Sequence, residues 1–134
     1  MSLNQICQDI YNEVQGTIAM AVVDLSTGLP LSVYHQVPHF DQSYLDAVSS
    51  AAVDMFRGKT VKTVEAMLSD QRKKPANNAI KEIQMTTDGT FHFMAILPDK
   101  PDILAILITT QRTSLGMGWT ALRRAIPNLT ELAP

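Results

Sequence analysis

Hydrophobic and polar positions along this chain recur with two periods. From Ser2 to Val14, the residues Leu3, Ile6, Cys7, Ile10 and Val14 fall at helical spacing, which predicts an amphipathic helix. Ser2 with Gln5 has the capping-box pattern, and Gly16 stands just past the helix end. Thr17 to Asp24 and Ile103 to Ile108 are almost continuously apolar, which suits strands covered on both faces. Leu29 to His35 alternates instead, with Leu29, Leu31 and Val33 on one side. Pro30 cannot donate to a ladder, which favours an edge position. Between these first two strands, Leu25-Ser26-Thr27-Gly28 suits a tight hairpin.

Asp41 to about Arg57 reads as a second helix, capped by Asp41 and stapled by Phe40 on Leu45. Its apolar stripe is Leu45, Val48, Ala52, Met55 and Phe56; a flanking strip, Ala47, Ser50, Ala51 and Asp54, is small. Gly58 interrupts the pattern, and Val61, Val64, Met67 and Leu68 resume it to about Asp70. Residues 71–78 read as a loop, with Pro75 and two Asn after a basic cluster. Two alternating strands follow, Ile80 to Thr86 and Thr90 to Leu97, joined by a turn at Thr87-Asp88-Gly89. Pro98 to Asp102 reads as another turn. The last helix is expected from about Ser114 to Ile126, with Leu115, Trp119, Leu122 and Ile126 on one face and Pro127 ending it.

Strand composition then constrains the sheet. The two doubly covered strands should be central neighbours, each carrying its hairpin partners outward. The expected fold is α/β (α+β): five largely antiparallel strands in order 2-1-5-4-3. The terminal helices cover one face and the middle helix the other. Residues 1–134 read as a single domain with a helical, basic insertion at about 58–78.

Length and composition narrow the class. With 134 residues and 46% hydrophobic content, the chain can bury a core without a disulfide or metal staple. The longest apolar run is far short of a membrane span, and no basic start followed by an apolar stretch marks a signal peptide. The single cysteine, Cys7, excludes an internal disulfide and a Cys-rich zinc site. A cytoplasmic protein that binds neither membrane nor nucleic acid is expected. The net charge of −2 conceals a split. Residues 1–56 hold six acids and no Lys or Arg, whereas residues 57–134 hold all 11 basic residues and seven acids, giving −6 and +4. Folding should cancel much of this by adjacency. An acidic strip on helix 41–57 and a basic stretch from Arg57 to Lys74 are expected to survive.

No constellation in the sequence amounts to catalytic chemistry. Gly58-Lys59-Thr60 ends like a phosphate loop, but position 53 is Val where that loop needs Gly. His35 and His39 have His-x3-His spacing, yet Pro38 argues against the helix a metal pair would need. His92 alternates onto the side of Met94 and Ile96 and reads as a satisfied, partly buried histidine. Gly116 and Gly118 read as close packing of the last helix rather than as an anion site. No catalytic residue, cofactor or metal is expected, and the chain is read as not an enzyme.

The strand and hairpin Ala19 to Leu31, the small-residue helix 41–57, the Asp88-Gly89 hairpin, Ile103 to Thr109 and a terminal helix with an early Gly together carry a resemblance. Over roughly residues 3–126 the chain resembles the bacterial roadblock / dynein light chain domains, a profilin-like, longin-related family. The resemblance implies a non-enzymatic homodimer built by pairing third-strand edges and middle helices. It also implies a regulator or scaffold that works with a Ras-like small GTPase. The insertion at 58–78 departs from the family pattern.

The residues support dimerisation separately. Strand 80–86 is an edge with only Lys81 and Glu82 as charges, which is weak protection against pairing. The interface candidates are therefore Ala47, Ser50, Ala51 and Asp54 with Lys81, Ile83 and Met85. Arg72, Lys73 and Lys74 are the candidates for a further partner, with Arg72 the most exposed choice for an arginine acting in trans. An alternative reading is a small-molecule sensor whose pocket Tyr34, His92 and Trp119 would line.

Overall fold

The computed structural model describes residues 1–72 and 78–134. The elements in chain order are α1 (Leu3–Glu13), β1 (Thr17–Asp24), β2 (Leu29–His35), α2 (Gln42–Arg57), α3 (Lys59–Arg72), β3 (Glu82–Thr86), β4 (Thr90–Leu97), β5 (Lys100–Thr110) and α4 (Leu115–Leu132). The strands form one sheet in the expected order, β2-β1-β5-β4-β3. All four neighbouring pairs are antiparallel.

Side-chain alternation assigns the two faces. Met20 and Val22 of β1, Phe93, Ala95 and Leu97 of β4, and Ala105 and Leu107 of β5 point to α1 and α4, where they meet Ile6, Cys7, Ile10, Leu122 and Leu129. Val23, Met94, Ile96, Leu104 and Ile106 point the other way, onto Ala52 and Phe56 of α2. The terminal helices therefore share one face and the middle helix takes the other. Each large core side chain that goes from exposed to fully buried contributes about 1.5–3 kcal/mol. Phe56, Phe93, Leu104, Leu107, Leu122 and Leu129 are all at 0% exposure. Cys7 is one of these core side chains; burial pushes its thiol pKa up, which leaves it a hydrophobe rather than a nucleophile.

The helix starts follow their caps. Ser2 Oγ accepts from Gln5 N at 3.2 Å, Asp41 Oδ1 from Tyr44 N at 2.9 Å, and Ser114 Oγ from Met117 N at 3.1 Å. The capping box at α1 is one-sided, because the Gln5 side chain donates to Asp9 Oδ1 instead. Phe40 stacks on Tyr44, with centroids 4.5 Å apart and planes 15° apart.

Three expectations need correction. First, Pro127 does not end α4, which continues to Leu132. Leu129 and Ala133 are buried in the core beyond it, and that burial outweighs one missing N–H. Thr130 Oγ1 also donates to Ile126 O at 2.8 Å. Second, the buried line of α4 is Gly118, Leu122, Ala125 and Leu129, and Leu115 is exposed. Third, Lys100 to Asp102 belong to β5 rather than to a turn. A register shift between Ile96 and Leu97 brings Leu97 opposite Lys100.

The 58–78 stretch is helical over Lys59–Arg72, directly after Gly58 at the end of α2. Only half of its expected apolar face turns inward: Val61 and Leu68 are half-buried. Val64 and Met67 are exposed, whereas Glu65 is buried and accepts a hydrogen bond from Ala79 N. A buried carboxylate keeps its place only when hydrogen-bonded, and here it ties the end of the insertion back onto α3.

Candidate functional site

Antiparallel register fixes which backbone groups of β3 are free. Thr87 N donates to Thr90 O at 3.0 Å and Ile96 N donates to Lys81 O at 2.9 Å. Hydrogen-bonded pairs alternate along the ladder. Ile83 opposite Met94 and Met85 opposite His92 are therefore the bonded pairs. The N–H and C=O groups of Glu82, Gln84 and Thr86 point outward to an edge that no strand among the described residues pairs with. The same alternation puts Lys81, Ile83 and Met85 on the α2 face of the sheet.

That face is only partly covered. Ile83, Met85, His92 and Ile108 are half-buried, although each belongs to or neighbours the apolar layer under α2. α2 itself shows which flank borders this open shelf. A Cβ on Gly28, in the β1–β2 turn, would meet Val53 Cγ2 at 3.8 Å, so the Val53 flank faces β2. At 100° per residue the opposite flank carries Tyr44, Val48, Ala51 and Met55. Tyr44 and Val48 line a cleft with Ala19, Ala21 and Val23 of β1, Val33 of β2 and Ile106 and Ile108 of β5. Ala47, Ser50, Ala51 and Asp54 are all exposed. Ala51, with Ala47 at its margin, borders the shelf, whereas Ser50 and Asp54 face away from the sheet.

The alternation of β3 puts Ile83 and Met85 on the α2 side of the sheet, and the rotation of α2 turns Ala51 to the flank opposite Val53, away from Ser50 and Asp54. The sequence reading missed Tyr44, Val48 and Met55 as the shelf's helix wall and His92 and Ile108 as its floor. Only the alternation of β4 and β5 could have signalled the last two.

His92 sits in the middle of this shelf. Its Nε2 is 3.0 Å from Thr90 Oγ1, and its cross-strand neighbours are Met85 and Ile108. Burial holds its pKa below the ordinary histidine value. The folded protein therefore favours neutral His92, and the associated stability is complete above about pH 6.5. It is lost as pH falls through the depressed folded-state value. The midpoint of thermal unfolding should drop more steeply as pH falls below about 6.5 in the wild type than in His92→Gln. Parallel profiles for the two proteins would refute this role.

Two arginines are engaged. The Arg57 side chain is 10% exposed; its Nη2 donates to Pro101 O and lies 3.9 Å from Asp102. Arg57 is thus not part of a surface basic stretch. Arg123 grips Glu82 with Nη2–Oε1 at 3.0 Å and Nε–Oε2 at 3.3 Å, and its guanidinium lies 4.7 Å over the Trp119 ring. Arg72 ends α3, and Lys73 and Lys74 lie outside the described residues.

Other candidates separate. Tyr34 packs edge-on against Tyr11 on the α1 side, Trp119 against Phe93 under α4, and His92 lies on the opposite face. They line no common pocket. His35 and His39 both pack on the Phe40 ring, at 5.1 and 5.2 Å. Among the described residues no three His, Cys, Asp or Glu side chains are grouped for a metal. Likewise no described helix is long and apolar enough to cross a membrane.

No protein-family model matches the chain, and no curated protein matches it. Solved structures do. Myxococcus xanthus MglB superposes with a TM-score of 0.70 at 16% identity, covering 96% of this chain and 91% of that one. An MglB with a tetrameric arrangement gives 0.71 at 12% identity, covering 96% and 85%. A Roadblock/LC7 domain from Streptomyces avermitilis gives 0.65 at 12% identity, covering 97% and 99%. The chain has the roadblock/LC7 fold.

Proposed function

We propose that this protein is a non-enzymatic, homodimeric scaffold or regulator of the roadblock class. The observation that carries this reading is the continuity of the uncovered β3 edge with the half-open apolar shelf beside α2. An edge strand without a neighbour offers a row of backbone donors and acceptors to another chain. A two-fold axis beside β3 would pair that edge with its copy and lay the partner's α2 on Ile83, Met85, His92 and Ile108. The tetrameric arrangement of one MglB of the same fold favours self-association. Light scattering should give twice the 14.8 kDa chain mass at micromolar concentration. A monomer under those conditions overturns the reading.

The finer proposal is that the dimer acts on a Ras-like small GTPase, as the resemblance of the hairpins and the small-residue helix implies. The immobilised protein should retain one GTPase from its own source in one nucleotide state and release it in the other. Equal retention in GDP and GTP-analogue states removes the GTPase from the proposal and leaves the scaffold. Arg72 is the proposed trans arginine, and Arg72→Ala should then slow stimulated hydrolysis without weakening retention.

A further inference from the structure

On the face of the sheet away from α2, α1 and α4 border an open groove of about 760 Å³. Its floor is apolar: Ile6, Ile10 and Val14 from α1, Ala121 and Ala125 from α4. Its walls are charged with opposite sign. Asp9 and Glu13, one turn apart, line the α1 side; Arg124 and Asn128, one turn apart, line the α4 side. Among the described residues none of Asp9, Glu13 and Arg124 is in an ion pair, although all three border the same groove. Asp9 spends one oxygen on Gln5 Nε2 at 2.8 Å and keeps the other free. Gly116 has open space where a Cβ would stand, and Met117 is 56% exposed, so the α4 end of the groove is unobstructed.

We infer that this groove docks an amphipathic helix from a partner, with a cationic flank against α1 and an acidic or amide flank against α4. Three features select a helix. The groove has no sheet edge, so an extended segment would leave its backbone groups without partners, whereas a helix satisfies its own. Its length follows α1, whose 11 residues span about 16 Å, or three helical turns. Its alanine floor lets a third helix lie close, and the apolar residues of that helix would meet Val14 and Ala121, the half-buried apolar side chains of the floor. Small-molecule pockets bury most of their ligand, and this open trough does not. The two charged walls fix the direction in which the helix lies, because reversing it would set like charges together. The inference does not depend on self-association, since β3 and the shelf beside α2 lie elsewhere.

The test uses the full chain and two synthetic helical peptides of about three to four turns. Both carry Leu at the i, i+3, i+4 and i+7 positions; one carries Lys on the α1-facing flank and Glu on the other, and the second carries Glu on both flanks, so that neither direction of lying pairs it with Asp9 and Glu13. By fluorescence anisotropy the first should bind in the range of tens of micromolar and the second at least about tenfold more weakly. The pair Asp9→Lys and Glu13→Lys should invert that preference while leaving the molecular mass unchanged. Ala121→Trp should abolish binding of both peptides with the circular dichroism spectrum retained. Binding of neither peptide at about 1 mM overturns the inference, as does equal binding that the charge exchange leaves untouched.

Discussion

Gly118→Ala should destabilise the protein by about 2–3 kcal/mol, while Gly116→Ala, one half-turn earlier, should stabilise it slightly. A Cβ on Gly118 would stand no farther than 2.7 Å from Phe93 Cε1 and closer still to Cε2 and Cζ. The Phe93 ring has no room to withdraw. It is fully buried, meets Trp119 edge-to-face at 5.4 Å and Phe91 at 6.3 Å, and lies under α4 with Leu122. One inserted methyl must therefore move α4 or force Phe93 off its rotamer. Around Gly116 nothing lies within 4 Å, so only backbone entropy changes, and Ala gains about 0.5 kcal/mol there. Urea melts should show opposite signs for the two variants. Phe93→Leu should recover part of the loss in the Gly118→Ala background, since residues in contact couple. A neutral Gly118→Ala would refute the close approach of α4 to β4.

The same two glycines show how far the sequence could be read. That the last helix packs closely follows from two glycines at its start; which of them faces the sheet does not, because that depends on the helix rotation. Of the expected face Leu115, Trp119, Leu122 and Ile126, Leu122 is buried and Trp119 and Ile126 pack against the core, but Leu115 is exposed and Gly118 takes the inward place. Strands were legible because coverage on both faces leaves apolar runs, as in β1 and β5; β4 is also covered on both faces and reads as alternating only because Thr90 and His92 stand in its first, turn-proximal half. Caps were legible at Ser2 and Asp41 because a short side-chain acceptor there acts within one turn. Long-range burial was not. Nothing near Pro127 signals that Leu129 and Ala133 will be drawn into the core six and ten residues beyond Arg123. Nothing near Glu65 signals that its carboxylate will hold the amide of Ala79. At the candidate site, the edge candidates Ile83 and Met85 follow from the alternation of a single strand. The helix wall does not: periodicity groups Ala47, Ser50, Ala51 and Asp54, but only the fold says which side of that group borders β5.

Gln84→Pro should convert the protein from twice 14.8 kDa to 14.8 kDa without unfolding it. The ladder register places the Gln84 N–H on the outer side of β3, because Ile83 and Met85 are the residues bonded to β4. Proline removes that outward donor, and its ring occupies the place a second edge would take. Proline is tolerated on an edge strand whose N–H faces solvent, so the β3–β4 ladder should survive. Gln84 also lies opposite Phe93 on the α4 face, and its one side-chain partner is Thr86 Oγ1 at 3.0 Å, an exposed contact. Its loss costs little. Ile83→Pro makes the opposite comparison, since it deletes a donor that β4 uses, and it should unfold the edge as well as dissociate the dimer. Light scattering and thermal melts of the two variants separate the cases. Gln84→Pro at monomer mass with its melting midpoint within a few degrees of a wild-type monomer, prepared by dilution, is the expected result. A dimer that persists in Gln84→Pro would place the contact on α2 alone, and the open edge of β3 would then belong to a different partner.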